Sequence, residues 1–114
     1  PSDNQAMRYD SLVRDIKYYV STHLNENLNV KTLAERGYMS VTNFSRVFKQ
    51  QTGISPYEYV LISRLNKAKE LLRQTDMNIS QIAAAVGFNS DSNFIHFFSQ
   101  NTGISPKSFR KLEF

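Results

Sequence analysis

The segment Thr-Gly-Ile-Ser-Pro stands at 52–56 and again at 102–106 of a 114-residue chain. Each copy follows a Phe-rich, amide-rich run, QQTGISPYEY from Gln50 and QNTGISPKSF from Gln100. Each residue of the phrase has a mechanical reading. Gly after Thr stops a helix, because glycine takes the left-handed position past a helix end without a Cβ penalty. Ile54 and Ile104 then sit where an apolar residue packs back on the last turn. Ser55 and Ser105 are N-caps, with Pro56 and Pro106 at the first helical position, where a missing N–H costs nothing. Glu58 falls at the third helical position and completes a capping box in the first copy. The phrase ends one helix and begins another, and the chain does this twice.

The repeat extends upstream. Ser40, Asn43, Phe44 and Phe48 align with Ser90, Asn93, Phe94 and Phe98 at an offset of 50. Val30, Leu33 and Ala34 match Ile79, Ile82 and Ala83 at an offset of 49, so the second copy has one extra residue between its first two helices. Two copies are too few for a solenoid, and the pattern reads as a duplicated supersecondary unit. Periodicity predicts helix throughout. Leu12, Val13, Ile16, Tyr19, Val20 and Leu24 place a helix at about 8–24. Asn29 caps a helix at about 30–36, and Ser40 one at about 41–52 after a Gly37-Tyr38-Met39 turn. Ser55-Pro56 opens a long helix to about Arg73. Asn78, with Gln81 at its third position, caps a short helix; a Gly87-Phe88-Asn89 turn leads to a helix at about 91–102; Pro106 starts the last. The expected fold is all-α, two helix-turn-helix subdomains joined by a long linker helix, about seven helices in all. The expected parts are 1–7 as a flexible leader or expression remnant, 8–54 and 75–114 as the subdomains, and 55–74 as the linker.

Composition removes several alternatives. Cysteine is absent, which excludes disulfides, Cys-ligated metal and a thiol nucleophile. No apolar run approaches the ~18 residues of a membrane span, and no signal peptide is visible. His23 and His96 have no Cys or carboxylate partners at ligand spacing, so no metal or other cofactor is expected. There is no Gly-rich phosphate loop and no nucleophile with a His/Asp arrangement, so enzyme activity has no support. A net charge of +4 and a pI near 9.5 permit a polyanionic partner without demanding one.

A short helix, a Gly-containing turn and a second helix form the helix-turn-helix pattern, weak when found once and much stronger in two copies with matching caps. A joining helix of ~18 residues spans about 27 Å, and with the ends of the two units added the second helices are expected about one DNA turn, ~34 Å, apart. The stretches LAERGYMSVTNFSRVFKQQTGISPYEYVLISRLNKAKELL and ISQIAAAVGFNSDSNFIHFFSQNTGISPKSFR resemble the DNA-binding domain of AraC/XylS-family bacterial transcription regulators, over about 30–110. The most specific matches are Ile82-Ala83, Val86-Gly87-Phe88, Phe94, Phe98, Thr102-Gly103, Ser105-Pro106 and Phe109-Arg110. The resemblance implies two recognition helices entering successive major-groove segments on one face of the duplex. It also implies cytoplasmic transcription control in a bacterium, usually activation, with double-stranded DNA and RNA polymerase as partners. Family members often carry an N-terminal sensing, dimerising or receiver domain, and others stand alone. The leader and the missing initiator Met fit a segment cut from the larger kind.

The helical faces can be sorted without the family. In 41–52, Val41, Phe44, Val47 and Phe48 should form core, and Thr42, Ser45, Arg46 and Lys49 share the other face. Arg46 suits guanine O6/N7, while Thr42 and Ser45 can reach base edges or a thymine methyl. The family's base readers lie at these same three positions. Lys49 is better placed for phosphate, and the amides behind Ser40 and Ser90 can also hold one. In 91–102, Phe94, Phe97, Phe98 and Asn101 are expected inward, and Ser92, Asn93, Ile95, His96 and Ser99 outward. Base contacts are therefore expected at Ser92, Asn93, Ile95 and His96 as well, and phosphate contacts at Arg64 and Lys107. The helical spacing of the phenylalanines argues for core rather than base-stacking platforms.

The second unit departs from the family pattern. The family commonly has Arg or another polar reader where His96 stands, and Lys where Ser99 stands. No Lys or Arg lies between Arg73 and Lys107, while Asp76 and Asp91 do. Little counterion release is available there, so the first unit is expected to dominate binding. The competing reading is a helical protein-interaction module that kept the fold and lost DNA affinity. An RNA-binding domain fits poorly, since the chain lacks the aromatic sheet surface or clamp loops of common RNA modules.

Overall fold

A computed structural model describes residues 3–112, with side chains described from Met7 onward. Among the described residues the chain is seven helices: α1 (Asp3–Thr22), α2 (Val30–Arg36), α3 (Val41–Thr52), α4 (Pro56–Gln74), α5 (Ile79–Ala85), α6 (Asp91–Thr102) and α7 (Pro106–Lys111). They form two units that divide between Leu61 and Ile62, inside α4. Of the segment expected as leader, Pro1 and Ser2 lie outside the described residues, and from Asp3 the backbone is already helical. At its other end α1 stops at Thr22, two residues before Leu24. There the Ser21 and Thr22 hydroxyls donate back to the carbonyl of Tyr18 at 2.7 and 3.0 Å, an alternative to further helical bonding.

In the first unit Val13, Ile16 and Val20 of α1 and the following Leu24 and Leu28 pack with Leu33 and Ala34 of α2, Phe44 and Phe48 of α3, and Val60 of α4. In the second unit Ala68 and Leu72 of α4 take the part that α1 plays in the first. They pack with Ile82, Ala83 and Val86, Phe94 and Phe98 of α6, and Phe109 of α7. So α4 is not a free linker. Its beginning closes one core and its later turns open the other. The aromatic packing is duplicated: Phe48 meets Tyr59 edge-on at 5.5 Å between centroids, and Phe98 meets Phe109 edge-on at 5.3 Å. Burying a side chain of this size contributes about 1.5–3 kcal/mol.

The glycines and the capping serines of the repeated phrase work as predicted, with one addition. Gly53 and Gly103 have φ of 85° and 83°, and their N–H groups donate to Lys49 and Ser99 carbonyls at 2.8 and 2.9 Å. Ser55 Oγ accepts from the Glu58 N–H at 3.1 Å, and Ser105 Oγ from the Ser108 N–H at 3.0 Å. Asn78 and Gln81 form a complete capping box at the start of α5. The addition is the threonine. Thr52 Oγ1 lies 2.8 Å from the Phe48 carbonyl and 3.0 Å from that of Ile54, and accepts from the Ile54 N–H at 3.3 Å. Thr102 repeats all three distances with Phe98 and Ile104. The hydroxyl staples the helix end to the turn, which explains why the repeat begins with Thr.

Candidate nucleic-acid interface

The two second helices present their outer faces on matching local frames. Ser40 caps α3 by accepting from the Asn43 N–H at 3.2 Å, and Ser90 caps α6 by accepting from the Asn93 N–H at 3.1 Å. Phe44, Val47 and Phe48 are buried and fix the roll of α3, while Phe94 and Phe98 do so for α6. Phe97 is half-buried, its ring 4.9 Å from that of Phe88. Two expected core positions are not core. Val41 is 45% exposed, because it begins α3, a turn ahead of the buried row. Asn101 is exposed, and its amide donates to the Phe97 carbonyl at 2.8 Å.

On α3 the residues expected to read DNA share the outer face: Thr42, Arg46 and Lys49 are exposed and Ser45 is half-buried. Arg46 sits between two amide side chains of its own helix. Its Nη2 donates to Asn43 Oδ1 at 2.6 Å and its Nη1 to Gln50 Oε1 at 3.2 Å. On α6 Ser92, Asn93, Ile95 and His96 are all exposed, with Ile95 at 40%. Ser99 is half-buried. Asp91, in the first turn of α6, accepts from Ser80 Oγ at 2.5 Å and so ties α5 to the start of α6. The outer face of α3 therefore carries two cations, and that of α6 carries a histidine with an acid at its start.

The expected phosphate contacts differ in accessibility. Ser40, Lys49, Ser90 and Lys107 are exposed. Arg64 is half-buried with its Nε enclosed, and burial strips water from the guanidinium and lowers its pKa from the ordinary value. Arg110, at the end of α7, has a structural position. Its Nε donates to the Leu72 carbonyl at 3.1 Å and its Nη2 to that of Thr75 at 3.1 Å, which satisfies carbonyls at the C-terminal end of α4. His23 is likewise engaged: its ring stacks on Tyr19 at 3.9 Å and its Nδ1 lies 2.8 Å from the Tyr19 carbonyl. No helix among the described residues is long and apolar enough to cross a membrane.

The turns before the two outer helices are built differently. Gly37 has φ −89°, and the left-handed residue is the next one, Tyr38, at φ 57° and 97% exposed. Gly37 lies close to α1: a Cβ there would stand 2.9 Å from Leu12 Cδ1, the end of a flexible side chain that would have to shift. In the second unit a buried Val86 takes the place of Gly37, and Gly87, at φ 91°, is itself the left-handed residue. The turn glycine is visible in the sequence, but the nearness of Leu12 in α1 is brought about only by the fold.

Comparison with known proteins points one way. The family model described as "Helix-turn-helix domain" matches residues 33–112. The chain is 35% identical over 72 residues to the probable transcriptional regulator LumQ of Photobacterium leiognathi, which covers 63% of this chain and 29% of LumQ. Among solved structures, it is similar to the DNA-binding domain of AdpA, a global transcriptional factor crystallised with a target DNA. That match has a TM-score of 0.80 at 32% identity and covers 86% of this chain and 88% of that one. It is also similar to a transcriptional regulator with an AraC-type DNA-binding domain from Chromobacterium violaceum, with a TM-score of 0.78 at 31% identity, covering 89% and 90%. The chain thus spans less than a third of a curated relative such as LumQ but most of the isolated DNA-binding structures.

Proposed function

The chain belongs to the helix-turn-helix domain family, among the AraC-type DNA-binding domains, and from that premise we propose that it binds double-stranded DNA sequence-specifically and regulates transcription, chiefly as an activator. The observation that carries this reading is the outer face of α3, where Thr42, Ser45, Arg46 and Lys49 converge beside a helix rolled by three buried side chains. In this proposal α3 and α6 enter successive major-groove segments and α3 dominates. Thr42, Ser45 and Arg46 read bases, with Arg46 on a guanine. Ser92, Asn93, Ile95 and His96 form the weaker second reader, Asn93 bonding a base or phosphate and Ile95 packing on a thymine methyl. Lys49 and Lys107 neutralise phosphates, and the capped helix starts at Ser40 and Ser90 add backbone N–H donors. Arg64 contributes least, since its half-buried guanidinium is less available to a phosphate.

The cellular part of the proposal is a bacterial cytoplasmic regulator that works on RNA polymerase, either joined to a sensing or dimerising domain or standing alone. The competing reading, a helical interaction module without DNA affinity, draws on the α6 face, which lacks Lys and Arg. A salt titration with duplex DNA separates the two. Each neutralised phosphate adds about −0.9 to the slope of log affinity against log salt. A DNA reader with Lys49, Lys107 and the two caps gives a clearly negative slope, and a slope near zero favours the interaction module.

A further inference from the structure

We propose that Asn43 and Gln50 are positioning residues for Arg46 and thereby determine how sharply the first unit discriminates at one base pair. This rests on the DNA-reading role proposed above for α3. An exposed arginine ordinarily samples many rotamers, and ordering such a side chain at an interface works against binding. Arg46 is already held at both ends. Asn43, three residues before it, accepts from Nη2 at 2.6 Å, and Gln50, four residues after it, accepts from Nη1 at 3.2 Å. Both spacings put the amides on the same stripe of the helix as Arg46. Each bond uses one hydrogen of a terminal nitrogen. Of the five guanidinium donors, three stay available: Nε–H and one hydrogen on each terminal nitrogen. That is enough for a bidentate contact to guanine O6 and N7. The amides therefore fix the fork without consuming it.

The second unit supplies a comparison. Asn93 and Gln100 stand at the same places around His96, so the amide frame is duplicated while the cation is not. An imidazole has no fork to bridge two acceptors spaced this way. The same frame therefore sharpens reading on α3 and does not on α6. Asn43 makes a second contribution through its backbone, whose N–H donates to Ser40 Oγ, and a side-chain substitution leaves that cap in place.

The test is a double-mutant cycle on a duplex enriched from a random pool by the unmodified chain. The affinities of Asn43→Ala, Gln50→Ala, Arg46→Ala and the two double variants are measured on that duplex. The same is done on a partner duplex altered at the base pair whose preference Arg46→Ala abolishes. Each amide variant is expected to lose about 2- to 10-fold in discrimination between the two duplexes, the scale of ordering one long side chain. In the Arg46→Ala background neither amide substitution should change anything. An equal loss of affinity for the selected duplex in that background would overturn the proposal, since the amide would then be touching DNA itself. Unchanged discrimination in both single variants would overturn it as well. Asn43 is half-buried, so its variant is checked by thermal melting, and the exposed Gln50 provides a second variant that leaves the core untouched. Absence of duplex binding by the unmodified chain is a different result: it removes the DNA-reading role of α3, and the positioning role with it.

Discussion

The two units share their joints and differ in their faces. Thr52 and Thr102 make the same three contacts at the same distances. Gly53 and Gly103 differ by 2° in φ, and Ser40 and Ser90 cap the outer helices alike. On the outer faces the likeness ends. Arg46 faces outward where His96 does in the second unit, and Lys49 where Ser99 does. Joints are constrained because a helix end leaves carbonyls and N–H groups that must find partners, and few residue types satisfy them in so little space. An exposed face has no such requirement and diverges with what it touches. A duplicated frame with unlike faces suits a protein that reads two different DNA segments with unequal strength.

The largest effect that would test this comparison is in the cores. Phe48→Ala and Phe98→Ala should each destabilise their unit by about 3–5 kcal/mol. Denaturant unfolding followed by fluorescence from probes in each unit would read this. Unequal losses would show that the two cores are not equivalent after all.

Next come the faces. Arg46→Ala should cost about 1–3 kcal/mol of duplex affinity, the worth of a bidentate base contact, and His96→Ala markedly less. His96→Arg should raise affinity and steepen the salt slope by up to about 0.9, one extra phosphate-scale charge. Fluorescence anisotropy on a selected duplex measures all three. Equal losses at Arg46 and His96 would remove the asymmetry.

The joints should respond alike. Gly53→Ala and Gly103→Ala force a Cβ into left-handed backbone and should each cost about 1–2 kcal/mol. Nothing lies within 4 Å of either added Cβ, so the cost is conformational and should show as a lowered melting temperature without altered specificity.

The smallest effect separates the turns. Tyr38→Gly relieves a left-handed non-glycine residue and should raise stability by up to about 1 kcal/mol, reduced by the greater freedom of glycine in the unfolded chain. Gly87→Ala, at the corresponding place, should lower it. Both results would reflect one left-handed backbone position, filled by tyrosine in the first unit and by glycine in the second.

These same features show what could be read from the residues. Helix boundaries from α2 onward were legible because Asn29, Ser40, Asn78, Ser90 and the Ser-Pro pairs are local signals, decided within three or four residues. The phenylalanine rows were legible from their spacing. The threonine staple was not, since its partners are backbone carbonyls placed by the turn. Gly37 was legible as a turn residue, but the nearness of Leu12, which an added Cβ would meet, joins positions far apart in the chain. Val41 has the hydropathy of a core residue and the position of a helix start, and position decided. The bonds from Arg46 to Asn43 and Gln50 follow from i−3 and i+4 spacing, a signal present in the sequence but common to many exposed amides.

The central claim is that two like frames read DNA unequally, the first dominating through Arg46. Selection from a random duplex library at moderate salt, followed by sequencing, tests it most directly. The account predicts one strongly enriched block and a weaker one about 10 bp away, the strong block losing its preference in the Arg46→Ala variant. Two blocks of equal strength would contradict the asymmetry, and no enrichment would contradict sequence reading by this chain altogether.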